Sequence, residues 1–210
     1  MRRALAALAA AGLVASPACV SLKRTPEARF FVLRSLAEPP AEGPGASPPL
    51  VGLLPVALPG YLDRPQLITW VAPGELRIDE YLRWAEPLDA GLARTLAANL
   101  DALLPQSRII LSPWPAAARP RCRVRVELQR FGPQASGEVV LEGRYALLPS
   151  GGERPLVARP VSLKRGAPGA AAPGDSAPAG VEAMSELVAD LARDIAAAIR
   201  ALPAEAGTSG

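Results

Sequence analysis

Arg121-Cys122-Arg123-Val124-Arg125-Val126-Glu127-Leu128-Gln129 alternates small apolar and charged side chains without a break. A period of two is the signature of a strand with one buried face, so Cys122, Val124, Val126 and Leu128 point to a core. Arg121, Arg123, Arg125 and Glu127 point away from it. Glu138 to Leu148 repeats the pattern, with Val139, Leu141, Tyr145 and Leu147 inward and Glu138, Glu142 and Arg144 outward. The basic outer face of the first strand can pair with the acidic face of the second, which predicts an antiparallel hairpin. The arginine row reads as a solvated sheet face. Leu156 to Lys164 makes a third strand, and Pro160 within it directs that strand to an edge.

Working outward, the carboxy-terminal stretch is an amphipathic helix. Met184, Leu187, Val188, Leu191, Ile195, Ile199 and Leu202 fall on one face, with Glu186, Asp190, Arg193, Asp194 and Arg200 elsewhere. An apolar face this wide packs onto the domain's own sheet in preference to a membrane surface. A second helix opens at Pro87, where a missing amide hydrogen costs nothing. It carries Leu88, Leu92, Leu96, Leu100, Leu103 and Leu104 on one stripe and stops at Pro105. Arg29 to Arg34 reads as a first strand, Leu50 to Val56 as an interior strand, and Gln66–Val71 with Glu75–Asp79 as a hairpin around Ala72-Pro73-Gly74. Arg108 to Leu111 is a further short strand. Two helices and about eight strands in mixed order predict one compact α/β sandwich, a mixed sheet with both amphipathic helices packed on it.

The ends of the chain have a different character. Met1-Arg2-Arg3 followed by an apolar run from Leu5 to Ala15 is a secretory signal, too short to span a bilayer. The division that follows is residues 1–18 as signal, 19–28 as lipidated tether, 29–203 as the domain and 204–210 as a frayed tail. Residues 166–180 form an Ala/Pro/Gly-rich insert within the domain, and Glu38 to Pro49 is a connection of similar composition. Without Arg2 and Arg3, 21 basic residues face 20 acidic ones, and no basic patch interleaves with aromatics, which argues against a nucleic-acid partner. The two cysteines of an exported chain could form one disulfide. Their contexts argue otherwise. Cys19 directly follows the signal, at the position where bacterial lipoproteins carry a thioether-linked diacylglycerol, and Cys122 sits among buried strand residues. Ser16 stands where a lipobox usually has leucine, and Ser16-Pro17-Ala18 also suits ordinary signal peptidase.

Two blocks of unusual local chemistry lie between these elements: Tyr61-Leu62-Asp63-Arg64-Pro65-Gln66 and Arg83-Trp84-Ala85-Glu86-Pro87-Leu88. Four of the nine aromatic residues (Tyr61, Trp70, Tyr81, Trp84) fall in this region. Pro65 extends Arg64, and Asp63 is placed to accept a backbone bond two residues on. One reading is a turn into a buried strand with Trp84 as a core plug. The other is a fixed partner-binding surface made by Tyr61, Asp63, Arg64, Pro65, Trp84 and Glu86. Catalytic signals are sparse. The chain has no histidine, which removes the commonest general base and every histidine-containing metal site. No Gly-rich phosphate loop precedes a helix, and no cysteine spacing suits zinc. The expectation is therefore a non-enzyme without cofactor or metal, with a carboxylate-only hydrolase as the enzymatic alternative.

In their order, these features resemble the ABC-type transport auxiliary lipoproteins, also called the paraquat-inducible protein C family. The resemblance rests on the signal ending in Cys19, Leu54-Pro55-Val56-Ala57-Leu58-Pro59, the Tyr-Leu-Asp-Arg-Pro and Trp-Ala-Glu-Pro-Leu blocks, Pro113-Trp114, the strands around Arg130-Phe131 and the closing helix. It implies a fold similar to the N-terminal domain of the Tol system's β-propeller protein. It further implies a lipoprotein on the periplasmic face of the outer membrane, anchored through Cys19. Such a subunit would serve a mammalian-cell-entry-type lipid transport system and envelope integrity. Its implied partners are the periplasm-spanning protein of that system with its ABC permease/ATPase complex, and further copies of itself. The alternative is a stand-alone outer-membrane lipoprotein that binds peptidoglycan or a Tol-type complex on the same fold.

Overall fold

Ten elements follow one another in the order β1 (Arg29–Phe31), β2 (Leu50–Leu53), β3 (Gln66–Ala72), β4 (Glu75–Trp84), α1 (Leu88–Leu103), β5 (Arg108–Leu111), β6 (Cys122–Pro133), β7 (Glu138–Pro149), β8 (Val157–Gly166) and α2 (Ala177–Arg200). They come from a computed structural model, which describes residues 26–36, 38, 48–167 and 177–203. The signal over 1–18, Cys19 and the tail 204–210 lie outside the described residues. So do the tether up to residue 25 and most of the 38–49 and 166–180 connections.

The α/β sandwich with two helices is present, and its strands divide between two sheets. A five-stranded sheet has the order β5-β2-β6-β7-β8, and a three-stranded sheet the order β1-β4-β3. The strands β5, β2 and β6 run parallel, while β6-β7 and β7-β8 are antiparallel hairpins. One face of β6 carries Cys122, Val124, Val126 and Leu128, none more than 5% exposed. Leu141, Tyr145 and Leu147 continue that buried face on β7, and α1 and α2 join the same core. Val140 and Leu148 are equally buried, so β7 is covered in part on both faces. β8 is the edge strand and holds Pro160, where a missing donor leaves no ladder bond unmade.

Charge pairing across the hairpin differs in detail from the row-on-row expectation. Arg144 pairs with Glu127 and Arg130 with Glu142 across the strands. Arg123 and Arg125 instead reach Glu153, beyond the end of β7. The cause is register: Arg123 lies opposite Leu148 and Arg125 opposite Ala146, so neither faces a β7 acid.

β4 runs to Trp84, five residues past the expected end. It does so by bulging: Gln66 pairs with Arg83 but Leu67 with Asp79. Asp79 holds the excursion, its Oδ1 accepting from the amides of Tyr81 (3.0 Å) and Leu82 (3.2 Å). β1, by contrast, ends at Phe31, short of the expected Arg34, because the strand it pairs with ends at Trp84. The next residues are held by side chains of both helices. The Leu33 carbonyl accepts from Thr95 Oγ1 (3.2 Å) and Arg94 Nη2 (3.0 Å). Asn99 Oδ1 accepts from Ser35 Oγ (3.0 Å) and the Leu36 amide (3.1 Å), and the Arg34 amide donates to Ser185 Oγ on α2 (3.2 Å). Leu33 itself is 1% exposed.

Candidate functional site

The turn that carries the first block is closed by its own backbone. The Leu62 amide donates to the Pro59 carbonyl (2.9 Å) and the Arg64 amide to the Leu62 carbonyl (2.9 Å). The acceptor role expected of Asp63 toward the amide two residues on is not available, because that residue is Pro65 and has no N–H. Asp63 is exposed instead. The Pro65 carbonyl accepts from the Trp84 amide (2.7 Å), and the Ala85 amide donates to the Phe31 carbonyl (2.9 Å). The first of these bonds brings blocks about twenty residues apart in sequence to one place, and the second ties them to β1.

There they line an open cleft of about 300 Å³, walled by Asp63, Arg64, Pro65, Trp84, Glu86, Pro87 and Leu88 among others. Trp84 is 7% exposed, so it serves as the buried floor. Leu88 is also buried, while Pro65 and Pro87 are exposed and give rigid apolar shoulders. Arg64 is half-buried, and its Nε is enclosed with no hydrogen-bond acceptor among the described residues. Glu86 is committed internally. Its Oε1 accepts from Arg94 Nη2 (2.5 Å) and Nε (3.2 Å), and the same Nη2 reaches the Leu33 carbonyl. Gly91 makes room for this strut, since a Cβ there would lie 3.1 Å from Glu86 Oε1. Glu86 therefore shapes the wall, and Arg64 and Asp63 are the charges the cleft can offer.

Of the expected site residues, the structure gathers Asp63, Arg64, Pro65, Trp84 and Glu86 and leaves Tyr61 outside the cleft. Tyr61 meets Trp70 edge-on, ring centroids 5.3 Å apart at 83°. Its hydroxyl donates to the Gln129 carbonyl. Burial pushes the Tyr61 phenol above its ordinary value, with nearby Arg130 opposing. Arg130 in turn lies over the Trp70 ring, 4.7 Å from its centroid, and pairs with Glu142 at 3.2 Å. Trp70 and Arg130 line a second groove of about 600 Å³ with Gln134 and the Ala72-Pro73-Gly74 corner. The strand pattern alone did not mark this groove; Trp70 and the Arg130-Phe131 pair were its only trace in the sequence. Among the described residues no group of three or more acidic or thiol side chains is placed to hold a metal ion. No described helix is long and apolar enough to cross a membrane.

The fold is that of a two-sheet α/β domain with a proline-shouldered cleft at the end of its smaller sheet. Residues 31–196 match the ABC-type transport auxiliary lipoprotein component family, and the chain belongs to that family. Membership makes it an auxiliary component of ABC-type transport and, as a lipoprotein, implies a membrane-anchored place in the cell envelope. Among solved structures it is similar to an uncharacterized protein at 23% identity, TM-score 0.66, covering 83% of this chain and 99% of that one. Protein XCC0632 from Xanthomonas campestris, a DUF330 protein, is similar at 17% identity and TM-score 0.61, covering 80% and 92%. At these identities the likeness establishes the fold. Comparison with curated proteins gives no match.

Proposed function

We propose that this protein is the non-catalytic lipoprotein subunit of an ABC-type, mammalian-cell-entry-type system that moves lipid between the inner and outer membranes. It sits on the periplasmic face of the outer membrane, held by acyl chains on Cys19, and supports envelope integrity. Its cleft docks the periplasm-spanning component of that system. The observation that carries this reading is the convergence of two distant blocks on one preformed cleft, in a chain of the auxiliary family. The cleft has a guanidinium with an unused buried donor, an exposed carboxylate and proline walls over an indole floor. Those are the parts of a small protein-binding hot spot, an apolar seat beside a charge with donor capacity to spare.

Arg64→Glu tests it. Because Arg64 Nε has no acceptor among the described residues, removing the guanidinium forfeits no bond they make through that atom, and the thermal melt should stay near that of the parent protein. Co-purification of the periplasm-spanning component should be lost, since reversing a buried interface charge costs about 2–5 kcal/mol or more. Binding retained in a normally folded variant would sink the docking role, and a collapsed melt would assign Arg64 to stability instead. Mass spectrometry of the mature amino terminus checks the Cys19 anchor separately.

A further inference from the structure

We infer that the outer face of β1 and the adjoining part of β4 lie against the lipid surface to which the chain is tethered. The inference rests on the reading of Cys19 as the anchored residue. Phe30 pairs with Arg83 in the parallel β1-β4 ladder, so the two side chains share one face of the small sheet. Tyr81 lies two residues before Arg83 on that face, and Val32 follows Phe30 two residues on along the extended chain. Phe30 is 63% exposed, Val32 45% and Tyr81 39%. Leu33, whose side chain turns the other way, is 1% exposed, so the apolar residues left outside are a property of this face. Arg83 lies beside the aromatics, 39% exposed at its side chain, whereas Arg29 belongs to the opposite face, its guanidinium 5.5 Å from the centroid of the Phe31 ring. The carboxylates nearby are Glu27 and Glu80. Glu80 is engaged by Gln66 (3.2 Å) and lies 3.8 Å from Arg83.

An exposed phenylalanine with a tyrosine and an arginine beside it suits the headgroup boundary of a bilayer. The ring sinks toward the acyl chains, the phenol stays at headgroup level and the Arg83 guanidinium meets phosphate. Reach argues for this occupant over others. Arg29 lies ten positions after Cys19, a span of at most about 35 Å even when fully extended. A domain of this length has a radius of gyration of about 16 Å. The tether therefore cannot carry the domain much more than its own diameter from the membrane, and the face nearest the point of attachment meets lipid at high effective concentration. β1 is that face: it is the first element after the tether and the outermost strand of its sheet.

The test uses the full, anchored protein floated on vesicles of phosphatidylethanolamine and phosphatidylglycerol containing spin-labelled lipid. On the anchored reading the Cys19 thiol is blocked, and Cys122 is 1% exposed. A fluorophore can then be attached selectively to a Phe30→Cys variant, or to a Leu156→Cys variant at another exposed apolar site. The label at position 30 should be quenched by the spin-labelled lipid and the label at position 156 should not. Adding Tyr81→Asp to the Phe30→Cys variant should lower the quenching while the protein still floats. Equal, weak quenching at both positions in floating protein would overturn the inference and leave the anchor standing. If position 30 is then also shielded from aqueous iodide, a protein surface covers the face instead. Protein that does not float at all would overturn the anchor and the inference together.

Discussion

Gly143 marks a close approach of β7 to β6. A Cβ there would stand 2.2 Å from the Glu127 carbonyl oxygen and 2.8 Å from Leu128 Cα. Both are backbone atoms of β6, at the bulge where the register passes from Leu128 opposite Gly143 to Arg130 opposite Glu142. Backbone cannot rotate aside, so Gly143→Ala should cost about 3 kcal/mol, the upper end for overpacking, measured by urea denaturation. Gly52 is also crowded, a Cβ meeting Trp114 Cη2 at 2.7 Å, but an indole at a half-buried position can shift. Gly52→Ala should therefore cost less, about 1 kcal/mol. A normal urea midpoint for Gly143→Ala would mean that the bulge is softer than its geometry. The bulge had a faint trace in the sequence: the apolar residues of β6 step by two up to Leu128 and then by three to Phe131. Trp114 over Gly52 had none, since nothing local ties a loop tryptophan to a glycine sixty residues earlier. The same limit applied to Glu153, whose pairing with Arg123 and Arg125 depends on how the chain turns after β7.

The helices and strands themselves were far more legible than their assembly. Leucine spacing located α1 and period-two alternation located β6 and β7, because both patterns express burial of one face. Division of the strands into two sheets was not readable, since it is decided by parallel pairings such as β1 with β4 and β2 with β5, between residues remote in sequence. The cleft was half readable. The two blocks stood out by their prolines and aromatics, but their meeting depends on the Trp84 amide reaching the Pro65 carbonyl. The two helix ends show another assembly effect. Arg121 Nη2 donates to the Ile199 carbonyl in the last turn of α2 (3.0 Å), and Arg200 Nη2 to the Leu103 carbonyl at the end of α1 (2.6 Å). Arg200 supplies a donor to the last turn of α1, and Arg121 adds a second donor to a carbonyl that also accepts from the Leu202 amide (3.2 Å); both offset the partial negative charge gathered at the helix ends. Arg121→Met and Arg200→Met should each lower stability by about 0.5–1 kcal/mol and add in the double variant, read from urea midpoints. No change in either single variant would mean that water caps those turns equally well.

Taken whole, the domain hides its titratable thiol and two of its phenols in protonated form. Burial raises Cys122 above its ordinary 9.0, and raises Tyr61 and Tyr145 above 10.0, with Asp194 adding to the effect on Tyr145. Between the ordinary value and the raised one, the unfolded chain has released its proton while the folded chain keeps it. Stability then falls as pH rises. The urea midpoint should be insensitive to these groups below pH 9 and decline above it, and Cys122→Val should move the onset toward pH 10. An unchanged onset in that variant would remove the thiol from the account. The clasp on the residues after β1 has a mechanical corollary. A tug arriving along the amino-terminal chain loads the β1-β4 ladder in shear. It then meets Thr95, Arg94 and Asn99 on one helix and Ser185 on the other. Force entering through the strand β1 is therefore shared between both helices, which opposes unravelling from that end.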